Sequence, residues 1–143
     1  MRKELTILVL AAVVSVISAP LFAHHGNAAY DPNKKITVSG TVTEFIWANP
    51  HCWLKFDAKG EKGDVQHWIV EASNPPDQTR AGWAHDSFKP GDQVTVTMIT
   101  VKNGRTIGRF VGANQGGKII LNGKPFPPNT GDASGDGPAT PKP

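Results

Sequence analysis

The sequence has one cysteine, Cys52, in 143 residues. No intramolecular disulfide can form, even in an oxidising compartment, so the fold must hold by packing alone. An excess of one charge is also missing. Fifteen Lys and Arg against twelve Asp and Glu leave a formal charge of +3, too weak a bias for the electrostatic footprint of a nucleic-acid binder. Paired carboxylates at a spacing useful for acid–base catalysis are absent, and so is a Gly-x-Ser-x-Gly nucleophile turn. The stretch GANQGGKI, residues 112–119, starts like a phosphate-binding loop, but Ile119 stands where Mg²⁺ would need Ser or Thr. It reads as a turn between strands. Finally, the apolar run of residues 5–19 falls short of the roughly 20 residues that span a bilayer.

What is present at the front of the chain has the layout of a secretory signal. Arg2 and Lys3 precede the apolar run, and small residues follow it. Pro20 makes Ala19 a poor cleavage point, whereas Ala23 suits one. Removing 23 of the 143 residues leaves 120, enough for one small domain, and lowers the formal charge to +2. No cysteine near the cut offers a lipid attachment point. The expectation is a periplasmic or secreted protein with no stable membrane anchor after cleavage; an uncleaved anchor is the alternative.

The mature chain reads as mainly β. Residues 24–35 form a polar N-terminal segment ending in the turn DPNKK. From residue 36, Ile, Val, Gly and Val alternate with Thr and Ser, the period of a strand. Gly40 within it marks a bulge or sharp bend. Strands are also expected over 52–56, 65–71, 92–101, 105–113 and 118–121, with Lys59–Asp64 turns supplied by KGEKGD and a hairpin at Asn103-Gly104. Between the third and fourth strands, Ser73 or Asn74 caps a short helix with proline in its first turn. Residues 123–143, rich in Gly and Pro, read as a disordered tail. The order predicts a small five- to six-stranded OB-like barrel over 36–122, with one short helix between strands three and four; an open sandwich is the alternative.

Five histidines carry the candidate chemistry. Cleavage after Ala23 makes His24 the first residue, so its free amine and imidazole can chelate one metal ion, in the manner of a histidine brace. An amine and imidazole set favours Cu(II), with zinc and nickel competing. His25 and His51, the latter in Asn49-Pro50-His51, are the candidates to complete the site. A mobile polar N-terminus and a loop histidine are the plain alternatives. Cys52 neighbours His51, but successive strand residues point to opposite faces, so Cys52 belongs to the core. His67 reads as a surface residue of the third strand. His85-Asp86-Ser87 looks like a catalytic string, yet triads assemble from distant segments. Of four tryptophans, Trp68 and Trp83 read as core. Trp47 and Trp53 flank the Asn-Pro-His turn and are candidates for a ligand-stacking wall or for core.

Several of these stretches recur together. Ala23-His24-His25, Gly40-Thr41-Val42, Trp47 with Asn49-Pro50-His51, Trp68 with Glu71, Gly82-Trp83 and Lys89-Pro90-Gly91-Asp92 make the chain resemble a family of small exported bacterial proteins classed as a domain of unknown function. Gly26 stands where such sequences usually carry Ser, and the helix segment here is more polar. The resemblance implies export, one small β-rich domain, and a site joining His24 and His25 to His51. Two functional expectations result. One is a periplasmic protein that binds or hands on copper rather than catalysing, with a redox enzyme on the same site as the lesser variant. The other is a metal-free OB-like module that holds a protein or saccharide partner through Trp47 and Trp53.

Overall fold

A computed structural model describes residues 28–127. The expectations for the signal segment, its cleavage at Ala23, and His24 and His25 lie outside the described residues, as does the chain after Pro127. Seven strands occur in the order β1 (Tyr30–Ile46), β2 (Trp53–Lys59), β3 (Val65–Glu71), β4 (Gln93–Val101), β5 (Ile107–Arg109), β6 (Lys118–Leu121) and β7 (Lys124–Phe126). A six-residue helix, α1 (Pro75–Arg80), lies between β3 and β4. Among the described residues no helix is long and apolar enough to cross a membrane.

The strands close into a barrel. β1 pairs with β2, β2 with β3, β3 with β5, β5 with β4, and β4 returns to β1. Every pairing in this circuit is antiparallel except β3 with β5. A closed five-stranded barrel with that order and a helix after its third strand is the OB arrangement. One edge of β4 serves two neighbours in succession: residues 94–97 pair with β6, and Ile99 and Thr100 with β5. β6 and β7 thus extend the barrel as an added hairpin.

Period-two patterning explains why these segments are strands. In β2, Leu54, Phe56 and Ala58 are buried while Trp53, Lys55 and Asp57 face outward. Trp68 and Val70 of β3 and Val94, Val96 and Met98 of β4 complete the lining. Each fully buried apolar side chain contributes about 1.5–3 kcal/mol. Gly40 is required by close approach: a Cβ there would lie 2.3 Å from the Asp57 carbonyl oxygen and 2.7 Å from Phe56. The irregularity expected at Gly40 occurs two residues on, between Val42 and Glu44.

The helix forms as expected. The Asn74 side chain accepts from the Asp77 N–H, Pro75 opens the first turn, and the chain leaves through Gly82 at φ 85°. Beyond it Trp83 packs edge-on against Phe88 and Phe126, at ring separations of 5.2 and 5.4 Å. Phe45 joins them through Phe88 at 5.0 Å. Such pairs add about 0.5–1.5 kcal/mol each beyond their burial.

Two boundaries need correction. The first strand begins at Tyr30 rather than residue 36, and the expected DPNKK turn is a register irregularity between Asp31 and Lys35 inside it. The Asp31 carboxylate accepts from the Asn33 N–H at 3.0 Å, so the turn chemistry is satisfied without ending the strand. At the other end, the stretch assigned to a tail from residue 123 contains β7. Asn122 and Gly123 take φ 49° and 80°, the left-handed pair of a tight hairpin, and Phe126 then reaches the aromatic cluster.

Candidate functional site

β2 and β3 place three side chains on one outer face. Trp53 pairs with Glu71 in the antiparallel register. The ladder continues past the strand end, where Cys52 N–H donates to the Ser73 carbonyl at 3.0 Å. His51, two residues before Trp53, therefore shares its face, and Cys52 turns inward. Cys52 is fully buried, and burial pushes its thiol pKa up. It is a core residue, as its position in the alternation requires.

Glu71 is the centre of the site. It ends β3 on the outer side of the barrel, yet it is only 6% exposed. The parallel pairing of β3 with β5 sets Arg109 beside it. Arg109 donates to Glu71 Oε2 from Nε at 3.0 Å and from an Nη at 2.8 Å. The Tyr30 hydroxyl donates to the same oxygen at 2.8 Å. The Arg109 guanidinium also lies 4.1 Å from the Tyr30 ring centroid, a cation–π contact. Glu71 Oε1 takes a hydrogen bond from His51 Nδ1.

Burial pushes the Glu71 carboxyl up, but the hydrogen bonds from Arg109, Tyr30 and His51 and the Arg109 charge outweigh it and hold its pKa below the ordinary range. The group is a carboxylate at neutral pH and can only accept. His51 Nδ1 must therefore carry the proton. In neutral His51 the lone pair is then on Nε2, and the ring is 42% exposed. Tyr30 responds in the opposite sense. Burial first, and then its bond to Glu71, raise its pKa to about 12.

Beside this cluster lies an open groove of about 460 Å³, bordered by Tyr30, Trp53, Ile69, Arg105, Ile107 and Arg109. The Trp53 and His51 rings are 6.4 Å apart. Trp47 is placed elsewhere: it packs on Phe45 at 5.9 Å against the core. The two tryptophans thus do not form one wall. His67 is exposed and pairs across the strands with Asp57 at 2.6 Å. His85 lies exposed in the turn after Trp83, and the Ser87 hydroxyl of the same string accepts from the Ala84 N–H at 2.8 Å. The phosphate-loop lookalike is a 3-10 turn, Ala113–Gln115, between β5 and β6.

Sequence reasoning found His51 and Trp53 but not the roles of Glu71, Tyr30 and Arg109. Among the described residues no group of three or more His, Cys, Asp or Glu side chains gathers as a metal set. His51 with Glu71 is a pair.

A family of unknown function matches residues 11–110, well over half the chain. The chain belongs to DUF6152. That membership covers every residue of the His51–Glu71 cluster, Arg109 included, and leaves β6 and β7 beyond the matched range. Among solved structures, this DUF6152 chain is similar to the mitochondrial single-stranded DNA binding protein Rim1 of S. cerevisiae. The identity is 13%, the TM-score 0.42, and the match covers 62% of this chain and 92% of that one. No curated protein sequence matches.

Proposed function

We propose that the protein is an exported metal-binding OB-type domain, with copper the metal that its donors suit best. His51 Nε2 is one ligand. Cleavage after Ala23 supplies the others, the amine and imidazole of His24, with His25 as a further donor. The observation that carries this reading is the hydrogen bond from His51 Nδ1 to a buried carboxylate. A histidine that binds metal through one ring nitrogen nearly always gives its other N–H to a carboxylate, carbonyl or water, which fixes the tautomer and the ring direction. Here the carboxylate is itself held by Tyr30 and Arg109, so the imidazole is aimed before any ion arrives.

The start of β1 supports the same reading. Tyr30 is bound to Glu71 and, with Ala29, borders the groove. His24 is six residues before Tyr30, and that length spans at most ~20–22 Å when extended. A chain cut after Ala23 would begin within that reach of Tyr30, whose hydroxyl shares Glu71 with His51. An imidazole and amine set ranks Cu(II) above zinc, and the reading is one of binding or transfer, with no reaction assigned.

The test is intact mass and copper calorimetry on protein exported and processed in bacteria. The expected result is a mass starting at His24 and one copper ion held at submicromolar affinity. His24→Ala, or one extra residue before His24, abolishes it. Glu71→Gln weakens it by about 10–100-fold. Weak binding at several sites on correctly processed protein overturns the reading. One observation favours a second, metal-free account. The groove carries Trp53 of β2 and Ile69 of β3, on the face where OB barrels hold ligands, with Ile107 of β5 beside them. That account predicts loss of partner binding in Trp53→Ala and indifference to the N-terminal extension.

A further inference from the structure

The groove beside Glu71 is built by strand register. On the outer face of the barrel Trp53, Glu71 and Arg109 stand side by side, and Lys55, Ile69 and Ile107 form the next row. The Lys55 ammonium is drawn to Glu44 at 2.7 Å and does not border the groove. Tyr30 and Val101, where β1 pairs with β4, continue the border. Arg105, in the turn that leads into β5, completes it. Trp53, Ile69, Val101 and Ile107 are each half-buried, and the fold gathers them into one concavity of about 460 Å³. A contiguous apolar surface with a polar rim marks a place where something binds, and the volume is that of ordinary small-molecule sites.

The charges of the lining narrow the ligand. Three charged side chains border the groove: Glu71, Arg105 and Arg109. Glu71 and Arg109 match each other at 2.8 Å, and both Glu71 oxygens are already taken by Arg109, Tyr30 and His51. Arg105 is the exposed one. Its bonds among the described residues run through its backbone: its N–H donates to Asn103 Oδ1 at 3.2 Å, and its carbonyl accepts from the Ile107 N–H at 2.8 Å. The groove therefore presents one unmatched positive charge at the rim of an apolar floor. A neutral hydroxyl-rich ligand would leave that floor unmatched, and a polyanion would find one cation only. A single anionic group on a flat apolar body meets both parts.

We propose that this groove binds small aromatic carboxylates. The ring packs on Trp53, Ile69 and Ile107, where an aromatic partner adds to what burial alone provides. The carboxylate takes the Arg105 guanidinium, whose planar fork suits two parallel hydrogen bonds. The proposal rests on the groove's reading as a ligand site and holds with or without a metal at His51.

The test is nuclear magnetic resonance of the nitrogen-labelled full chain, with a chelator present and the indole signals of its four tryptophans followed. Trp53→Phe identifies the Trp53 signal. The probes are 3-phenylpropionate, its neutral amide 3-phenylpropanamide, and propionate, which keeps the charge without the ring. The expected result is that 3-phenylpropionate shifts the Trp53 signal, that the amide binds about tenfold more weakly, and that propionate at the same concentration shifts nothing. Arg105→Gln, a change at an exposed side chain, removes the preference for the acid over the amide and leaves the other three indole signals in place. Equal binding of acid and amide overturns the proposal, as does an acid preference that survives Arg105→Gln. A Trp53 signal that ignores 3-phenylpropionate, in a protein that loses a partner on Trp53→Ala, overturns this ligand while keeping the groove as a partner site.

Discussion

The chain has one tyrosine, and it is the residue that ties the start of β1 to Glu71. That makes its ionisation a direct report on the site. In the folded protein Tyr30 loses its proton near pH 12 rather than at the ordinary value of 10. Burial is the largest cause, followed by the hydrogen bond to Glu71 and then by the Glu71 charge. The raised value means the hydroxyl's stabilising contribution is complete below pH 10 and is lost as pH rises through 12. A shift of that size corresponds to about 3 kcal/mol between the two protonation states. Glu71→Gln removes the charge and the strong acceptor but leaves the burial. The Tyr30 midpoint should therefore fall, yet stay above 10. Tyrosinate absorbance against pH measures it without interference from any second tyrosine, and near-ultraviolet circular dichroism on the same samples marks where the fold is lost. A wild-type midpoint at 10, or one unchanged by Glu71→Gln, would refute the argument that Glu71 is buried, charged and bound to Tyr30.

Three further outcomes are expected. Because the Glu71 pKa is depressed in the folded state, its contribution to stability should be complete above its ordinary value of 4.5 and fall as pH drops through its folded value; urea unfolding from pH 7 down to pH 3 should show a shallower fall in Glu71→Gln than in the wild type, the remainder coming from the likewise depressed Asp77 and Asp92. Gly40→Ala forces a Cβ to within 2.3 Å of the Asp57 carbonyl, and should cost about 3 kcal/mol through overpacking, visible as a lower thermal midpoint; an unchanged midpoint would mean that β1 and β2 have room to separate there. Phe126→Ala opens the aromatic cluster at Trp83 and Phe88 and should cost about 3 kcal/mol in the same assay, whereas a chain whose stability ignored it would have β7 only loosely attached.

The barrel was largely legible because its signals are local. Alternation in β2, β3 and β4 and the Asn74 cap with its prolines each act within a few residues, and the strand order follows from their sequence. The two misread ends have a common cause. Asp31-Pro32-Asn33 is turn chemistry that the structure uses as an irregularity inside a continuing strand, and β1 continues because Tyr30 and Asp31 find partners on β4. Asn122-Gly123 is the same hairpin signal as Asn103-Gly104, but the glycines and prolines after it masked a three-residue strand. That strand is held by Phe126, through contacts that no window of sequence contains. The site was legible in half. His51 and Trp53 announce themselves by type and by the Asn-Pro turn between strands. Glu71 looks like an ordinary outward-facing strand residue. Only the closure of the barrel, which sets β5 parallel to β3 and brings β1 around to them, buries that carboxylate between Arg109 and Tyr30.

That closure also joins the stability of the fold to the readiness of the site. Glu71 receives hydrogen bonds from residues on β1 and β5 and from the β1–β2 turn, so the same carboxylate fastens three segments distant in sequence. A buried carboxylate removed from its partners would be strongly destabilising, and here the partners outnumber what a structural ion pair with Arg109 requires. Arg109 alone would neutralise the charge, and Tyr30 with Arg109 would satisfy Oε2. His51 takes the remaining oxygen. Its ring is nearly half exposed, so it gains little burial from being there. What the bond does fix is the tautomer and direction of an imidazole whose other nitrogen is left with its lone pair. The bond thus orients a part-exposed imidazole beside the start of β1, which Tyr30 ties to the same carboxylate, and that orientation is what the proposed metal site draws on.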